Sequence, residues 1–134
     1  MRVSGLVALL SIVSLAAAGA AAARDLGPYP VRSGVAATVL DYATYDPATC
    51  YFAALPVVRV ITPPAHGTFS VVKSAHVVDD GPCAGKTLRS TAGVYRSKGG
   101  FRGRDEIVVD VGTDLHVEAL ARRGDTIRIL VDVK

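Results

Sequence analysis

The amino-acid sequence predicts an all-β fold, an antiparallel sandwich of about seven short strands, and three observations carry that expectation. Toward the C-terminus, apolar residues recur at every second position, the period of a half-buried strand. Clusters of Gly, Pro and Asp interrupt the chain at strand-like intervals. After Arg24, no window of about ten to fifteen residues keeps an i, i+3, i+4, i+7 apolar stripe with caps, so little helix is expected.

In chain order, the first element is a leader. Residues 1–23 carry one cation at Arg2, an apolar stretch from Leu6 to about Ala18, and small residues ending Ala21-Ala22-Ala23. That is the pattern of a cleavable secretory signal peptide, with residues 24–134 as a single mature domain. A membrane span needs about 20 strongly apolar residues, and this stretch dissolves into alanine before Arg24. No span is expected after removal of the leader, and no cysteine near the cleavage region suggests a lipid anchor. The expected compartment is periplasmic or extracellular.

Val35 to Leu40 reads as the first strand, and Asp41 to Thr49, with Pro47, as loop. Val57 to Ile61 is a β-branched run stopped by Pro63-Pro64. Thr68 to Lys73 follows, with Phe69 and Val71 on one side. Ala75 to Val78 and Lys86 to Arg89 are weaker strands around an Asp79-Asp80-Gly81-Pro82 turn. Ile107 to Val111, Leu115 to Ala119 and Ile127 to Val133 complete the set as a meander with one wet face, linked by Gly112-Thr113-Asp114 and Arg122-Arg123-Gly124-Asp125.

Cutting after Ala23 leaves 111 of 134 residues, a length suited to one compact domain. Fifteen Lys and Arg less Arg2, against twelve Asp and Glu, leave a mature formal charge of +2. Nucleic-acid binding needs far more clustered cations and is excluded on that ground. The only cysteines, Cys50 and Cys83, both lie in the exported part, where an even pair reads as one disulfide. A reactive thiol or a metal site is the alternative, against which the pair is far apart and forms no CxxC.

Two blocks add a family resemblance. Pro64-Ala65-His66-Gly67-Thr68-Phe69 forms the first; the second runs from Val94-Tyr95-Arg96-Ser97 through Gly100-Phe101-Arg102-Gly103-Arg104-Asp105 into Ile107-Val108-Val109. This order and spacing resembles bacterial cadherin-like and Ig-like β-sandwich domains, over roughly Val57 to Val111. The chain departs from the pattern at Arg96-Ser97-Lys98, where a Thr-Pro-Asn type of turn is usual, and it shows the blocks once rather than in tandem. The resemblance implies a cadherin-like or Ig-like sandwich with His66, Gly67, Gly100, Phe101, Gly103 and Asp105 as structural turn residues. Glycines at 99, 100 and 103 permit positive φ around Phe101, so its ring can turn inward and plug one end of the sandwich. Asp105 can then accept hydrogen bonds from nearby backbone N–H groups.

Chemical readings find less support. Gly85-Lys86-Thr87 spells the end of a phosphate loop, but its first glycine would fall at Asp80, with Gly81 one residue off and no helix signal behind it. His66, His76 and His116 have neither HxH nor HxxxH spacing. Calcium would have Asp105 or Asp79 and Asp80 as oxygen ligands, yet no dense acidic loop occurs. Serines 33, 70, 74, 90 and 97 sit in no nucleophile frame, and the acidic neighbours Asp79-Asp80 and Asp105-Glu106 point to opposite sides in extended chain. Arg96, Lys98, Arg102 and Arg104 flank Phe101 in an expected end loop. They form a candidate surface for an anionic glycan, lipopolysaccharide or acidic protein, or else a solvated turn whose charges pair with Asp105 and Glu106.

The sequence therefore predicts an exported, non-catalytic module with a structural or binding role, no cofactor, and a protein or envelope glycan as partner. Its rivals are a calcium- or copper-associated envelope protein and a small secreted hydrolase. Oligomeric state is open at this level.

Overall fold

A computed structural model of the protein describes residues 23–52, 54–112 and 124–134. The described chain forms seven strands: β1 (Arg24–Val31), β2 (Ala37–Tyr42), β3 (Val57–Thr62), β4 (Gly67–Val77), β5 (Thr87–Ser97), β6 (Gly103–Gly112) and β7 (Gly124–Val133). No helix occurs among these residues. The strands make two sheets, a four-stranded one in the order β1-β7-β6-β3 and a three-stranded one in the order β2-β5-β4. The second and fifth strands thus pair in one layer and the third and sixth in the other, the strand order of an Ig-type sandwich.

The alternating runs behave as expected. In β6, Asp105, Ile107, Val109 and Val111 point inward while Arg104 and Glu106 face solvent. In β7, Ile127, Ile129, Val131 and Val133 are buried. These meet Val39, Leu40 and Tyr95 from the opposite sheet, with Val31 from β1, to make the main core. Burying an apolar side chain of this size contributes roughly 1.5 to 3 kcal/mol, which is why the alternation fixes which face turns in.

Several elements differ from expectation. β1 has no counterpart in the sequence reading, because Gly27, Pro28 and Pro30 obscure it; it runs parallel to β7 at the sheet edge, the one parallel pairing in the described sheets. Prolines are tolerated there because an edge strand leaves N–H groups unpaired. β2 starts two residues later than expected, since Gly34 (φ +73°) turns the chain and leaves Val35 exposed. Ala75–Val77 is the tail of β4, and Lys86–Arg89 is largely the start of a much longer β5. The expected strand Leu115–Ala119 lies outside the described residues, as do His116 and all of the expected leader except Ala23. β6 pairs directly with β7, from Gly103 opposite Val133 to Gly112 opposite Gly124, so no strand intervenes between them as a three-stranded meander requires.

The expected disulfide joins Cys50 to Cys83, with Cα atoms 5.5 Å apart. No free cysteine is present among the described residues. The bridge sits in a second, smaller core of Val78, Cys83 and Leu88, flanked by Ala43, Tyr45 and Cys50. This cluster covers the outward side of β5 at Leu88, so the central strand of the smaller sheet is buried on both faces there.

Candidate functional site

The two sequence blocks meet at one end of the sandwich, around Asp105. The residue is 7% exposed. Oδ1 accepts hydrogen bonds from the backbone N–H of Ala65 and of Glu106, both at 3.0 Å. Oδ2 accepts from the backbone N–H of His66 at 3.0 Å and from the Tyr95 hydroxyl at 2.9 Å. A carboxylate has about four lone-pair sites, and four donors occupy them. Asp105 thereby ties the β3–β4 link to β5 and β6. Burial, and secondarily the bond to Asp105, raises the Tyr95 phenol well above its ordinary range.

The neighbouring residues complete the joint. The His66 ring stacks on the Phe101 ring with centroids 4.1 Å apart and planes 8° from parallel. The His66 carbonyl accepts from Lys98 N at 2.8 Å, and Phe101 N donates to the Lys98 carbonyl at 3.2 Å. Gly100 and Gly103 hold positive φ, +84° and +133°, as expected, whereas Gly99 does not. Phe101 is half-buried against the main core and covered by His66, so the pair of rings, rather than Phe101 alone, seals this end. Gly67 serves a different purpose from a turn glycine: a methyl group there would strike the Arg96 backbone carbonyl and approach Ser97 Cα to 2.9 Å.

The four cations do not share one loop. Arg96 lies on β5 and Arg104 on β6, each facing outward from a different sheet, while Lys98 and Arg102 flank Phe101 in the connection. Arg96 Nε donates to the Gly34 carbonyl at 2.7 Å. None of the four forms an ion pair with Asp105 or Glu106 among the described residues. Beside Asp105, an open groove of about 570 Å³ is lined by Pro28, Ala65, His66, Arg104, Glu106 and Leu130. Arg128, also on its wall, is held by two bonds to Asp25, at 2.9 and 2.7 Å. That guanidinium holds the Asp25 carboxyl below the usual carboxylate range.

A second polar group, not apparent from the sequence, lies on the outer face of the smaller sheet. His76 Nδ1 and Asp41 Oδ2 are 3.0 Å apart, although 35 residues separate them. His76 is opposite Leu88 and Asp41 opposite Ala92, so their contact crosses β5 over Ser90. Serine, histidine and aspartate thus come together, but the arrangement lacks the features of acyl transfer. Ser90 is fully buried, and its Oγ has no hydrogen-bond partner, His76 included. A nucleophile needs both access and a base within reach.

Metal ligation has no comparable cluster: no group of three or more His, Cys, Asp or Glu suited to an ion occurs among the described residues. Asp105, one of the residues that calcium would have had as oxygen ligands, points its oxygens at N–H and O–H donors. No helix among the described residues is long and apolar enough to cross a membrane. Compared with known protein families, curated proteins and solved structures, the chain finds no match.

Proposed function

We propose that the protein is an exported, non-catalytic β-sandwich module of the cadherin-like or Ig-like kind, working outside the cytoplasm in a structural or binding role. The observation that carries this reading is the Asp105 joint. The residues of the two blocks that look most like a site, an aspartate, a histidine, a tyrosine and a glycine-rich loop, are occupied in holding three segments together. The Cys50–Cys83 bridge supports an oxidising compartment, where such bonds persist. The partner we favour is an envelope protein or glycan met by the outer faces of the sheets.

The test has two arms. The full chain, produced in a bacterial host and fractionated, is expected outside the cytoplasm with a new N-terminus near Arg24 and no free thiol. Material retained in the cytoplasm with Met1 intact and both thiols titratable overturns the export reading. The purified protein is then given a panel of chromogenic esters and glycosides. Turnover above the buffer rate that disappears in Ser90→Ala or Asp105→Asn overturns the non-catalytic reading.

A further inference from the structure

The two sheets expose four edge strands, β1, β3, β2 and β4, and three of them are blunted against pairing. β1 contains Pro28 and Pro30 and breaks register between Leu26 and Tyr29. β2 has six residues and breaks register between Thr38 and Leu40. β3 also has six, breaks register between Val60 and Thr62, and runs into Pro63-Pro64. β4 has none of these devices. Its eleven residues, GTFSVVKSAHV, pair with β5 in unbroken register from Gly67 to Val77, with no proline and one charge of fixed sign, Lys73.

β4 also stands where exposed apolar surface is concentrated. Tyr95 on β5 reaches Asp105 on β6 across the layers, and β2 packs toward β7, so β4 lies over β3 on the same flank. Of the eight exposed large hydrophobic residues among those described, six line that flank: Val57, Val60 and Ile61 on β3, and Val71, Val72 and Val77 on β4.

The backbone shows which groups are free. Lys98 N donates to the His66 carbonyl at one end of β4, and Val78 N donates to the Lys86 carbonyl at the other. Both contacts turn even-numbered residues toward β5. By the alternation of an antiparallel ladder, Phe69, Val71, Lys73 and Ala75 turn their N–H and C=O groups outward, without a partner strand among the described residues.

We propose that β4 pairs antiparallel with β4 of a second copy about a two-fold axis at Val72, making one continuous six-stranded sheet. The strand is self-complementary in that register. Val72 faces Val72 of the copy. Val71 faces Lys73, so the ammonium group meets a valine rather than itself. Ser70 faces Ser74, and the large Phe69 faces the small Ala75. Like charges directly opposed would destabilise the pair, and this register has none. The outward odd-numbered N–H and C=O groups meet their counterparts across the axis, and the interface is isologous, as a closed dimer requires. An edge contact falls among small interfaces, below about 1,200 Å², so the dimer is reversible and concentration-dependent.

Sedimentation of the intact mature protein over a concentration series tests it, with the expected mass rising to two chains. Val72→Lys and Val72→Glu each place like charges on the axis and are expected to weaken association about tenfold or more, while an equimolar mixture of the two restores it. Val72 is 42% exposed, so at concentrations where the chain is monomeric both variants are expected to keep the wild-type melting curve. Hydrogen exchange gives a second readout: the amides of Phe69, Val71, Lys73 and Ala75 are expected to slow with concentration, while those of Ser70 and Val72 stay protected throughout. A single-chain mass up to about 1 mM, or a Val72→Lys dimer as tight as wild type, overturns the proposal. Protection of the odd-numbered amides only on adding an unrelated extended peptide assigns the edge to a foreign strand, and overturns it too.

Discussion

Asp105 joins segments as far as 40 residues apart in the chain, and the consequences of losing it follow from what its donors would face. In Asp105→Ala, the buried Tyr95 hydroxyl and the part-buried N–H groups of Ala65 and His66 lose their acceptor. Stranded donors of this kind cost about 1 to 3 kcal/mol each before relaxation, so a total of about 3 to 5 kcal/mol is expected. Tyr95→Phe removes one donor and leaves the other three, and should cost about 1 to 3 kcal/mol. Urea unfolding of the two variants measures both, with the slope m checked for constancy. Tyr95 also sets an alkaline limit. Its phenol titrates near 10 when unfolded and higher when folded, so above pH 10 the unfolded state binds fewer protons than the native one, and stability falls as pH rises. The melting midpoint of the wild type should drop from pH 10 upward, and Tyr95→Phe should flatten that drop. The residue types in this joint were legible as two blocks in the sequence. Their convergence was not, because Asp105 takes only one of its four donors from its own neighbourhood.

At the scale of elements, close approach decides two glycines, Gly67, which the resemblance implies as a turn residue, and Gly93. Gly67→Ala would drive a methyl group into the Arg96 carbonyl, a backbone atom that cannot rotate away. Gly93→Ala would strike the Phe69 ring, which can shift, and approaches Leu40 Cβ to 3.2 Å. Overpacking costs about 1 to 3 kcal/mol, and Gly67→Ala is expected at or above the top of that range with Gly93→Ala below it. Thermal melts of the two, compared directly, check the order. The same packing explains which strands could be read from the sequence. β6 and β7 are half-buried and alternate cleanly. β5 does not, because Ser90, Thr91, Ala92 and Gly93 are buried in succession, with Leu88 outward under the disulfide cluster. A central strand of small residues covered on both faces leaves no period of two to detect. β1 escaped for the opposite reason: its exposure and prolines are edge properties, and edges carry little hydrophobic signal.

The whole molecule has two cores of unequal size, and the disulfide belongs to the smaller. Cys50 and Cys83 are 33 residues apart, and closing such a loop restricts the unfolded chain by roughly 3 to 4 kcal/mol in the chain-entropy model. That is a large share of the 5 to 15 kcal/mol typical of small domains. The Cys50→Ala, Cys83→Ala double variant should therefore unfold at markedly lower denaturant. How the loss is distributed follows from the packing. Val78, Cys83 and Leu88 form a satellite with few neighbours, whereas Ile107, Val109, Ile127, Ile129 and Val131 lie at the centre of the main core, on paired strands. Native-state hydrogen exchange of the double variant should show Val78 and Leu88 amides opening first, at a free energy well below global unfolding. Ile107 and Ile129 should still exchange only when the entire sandwich opens. Equal protection at all four positions would mean that the bridge stabilises the two cores as one cooperative unit. The separation expected here instead makes the sulfur link a clamp on the β2–β3 and β4–β5 connections, with the sandwich held by its own apolar layer.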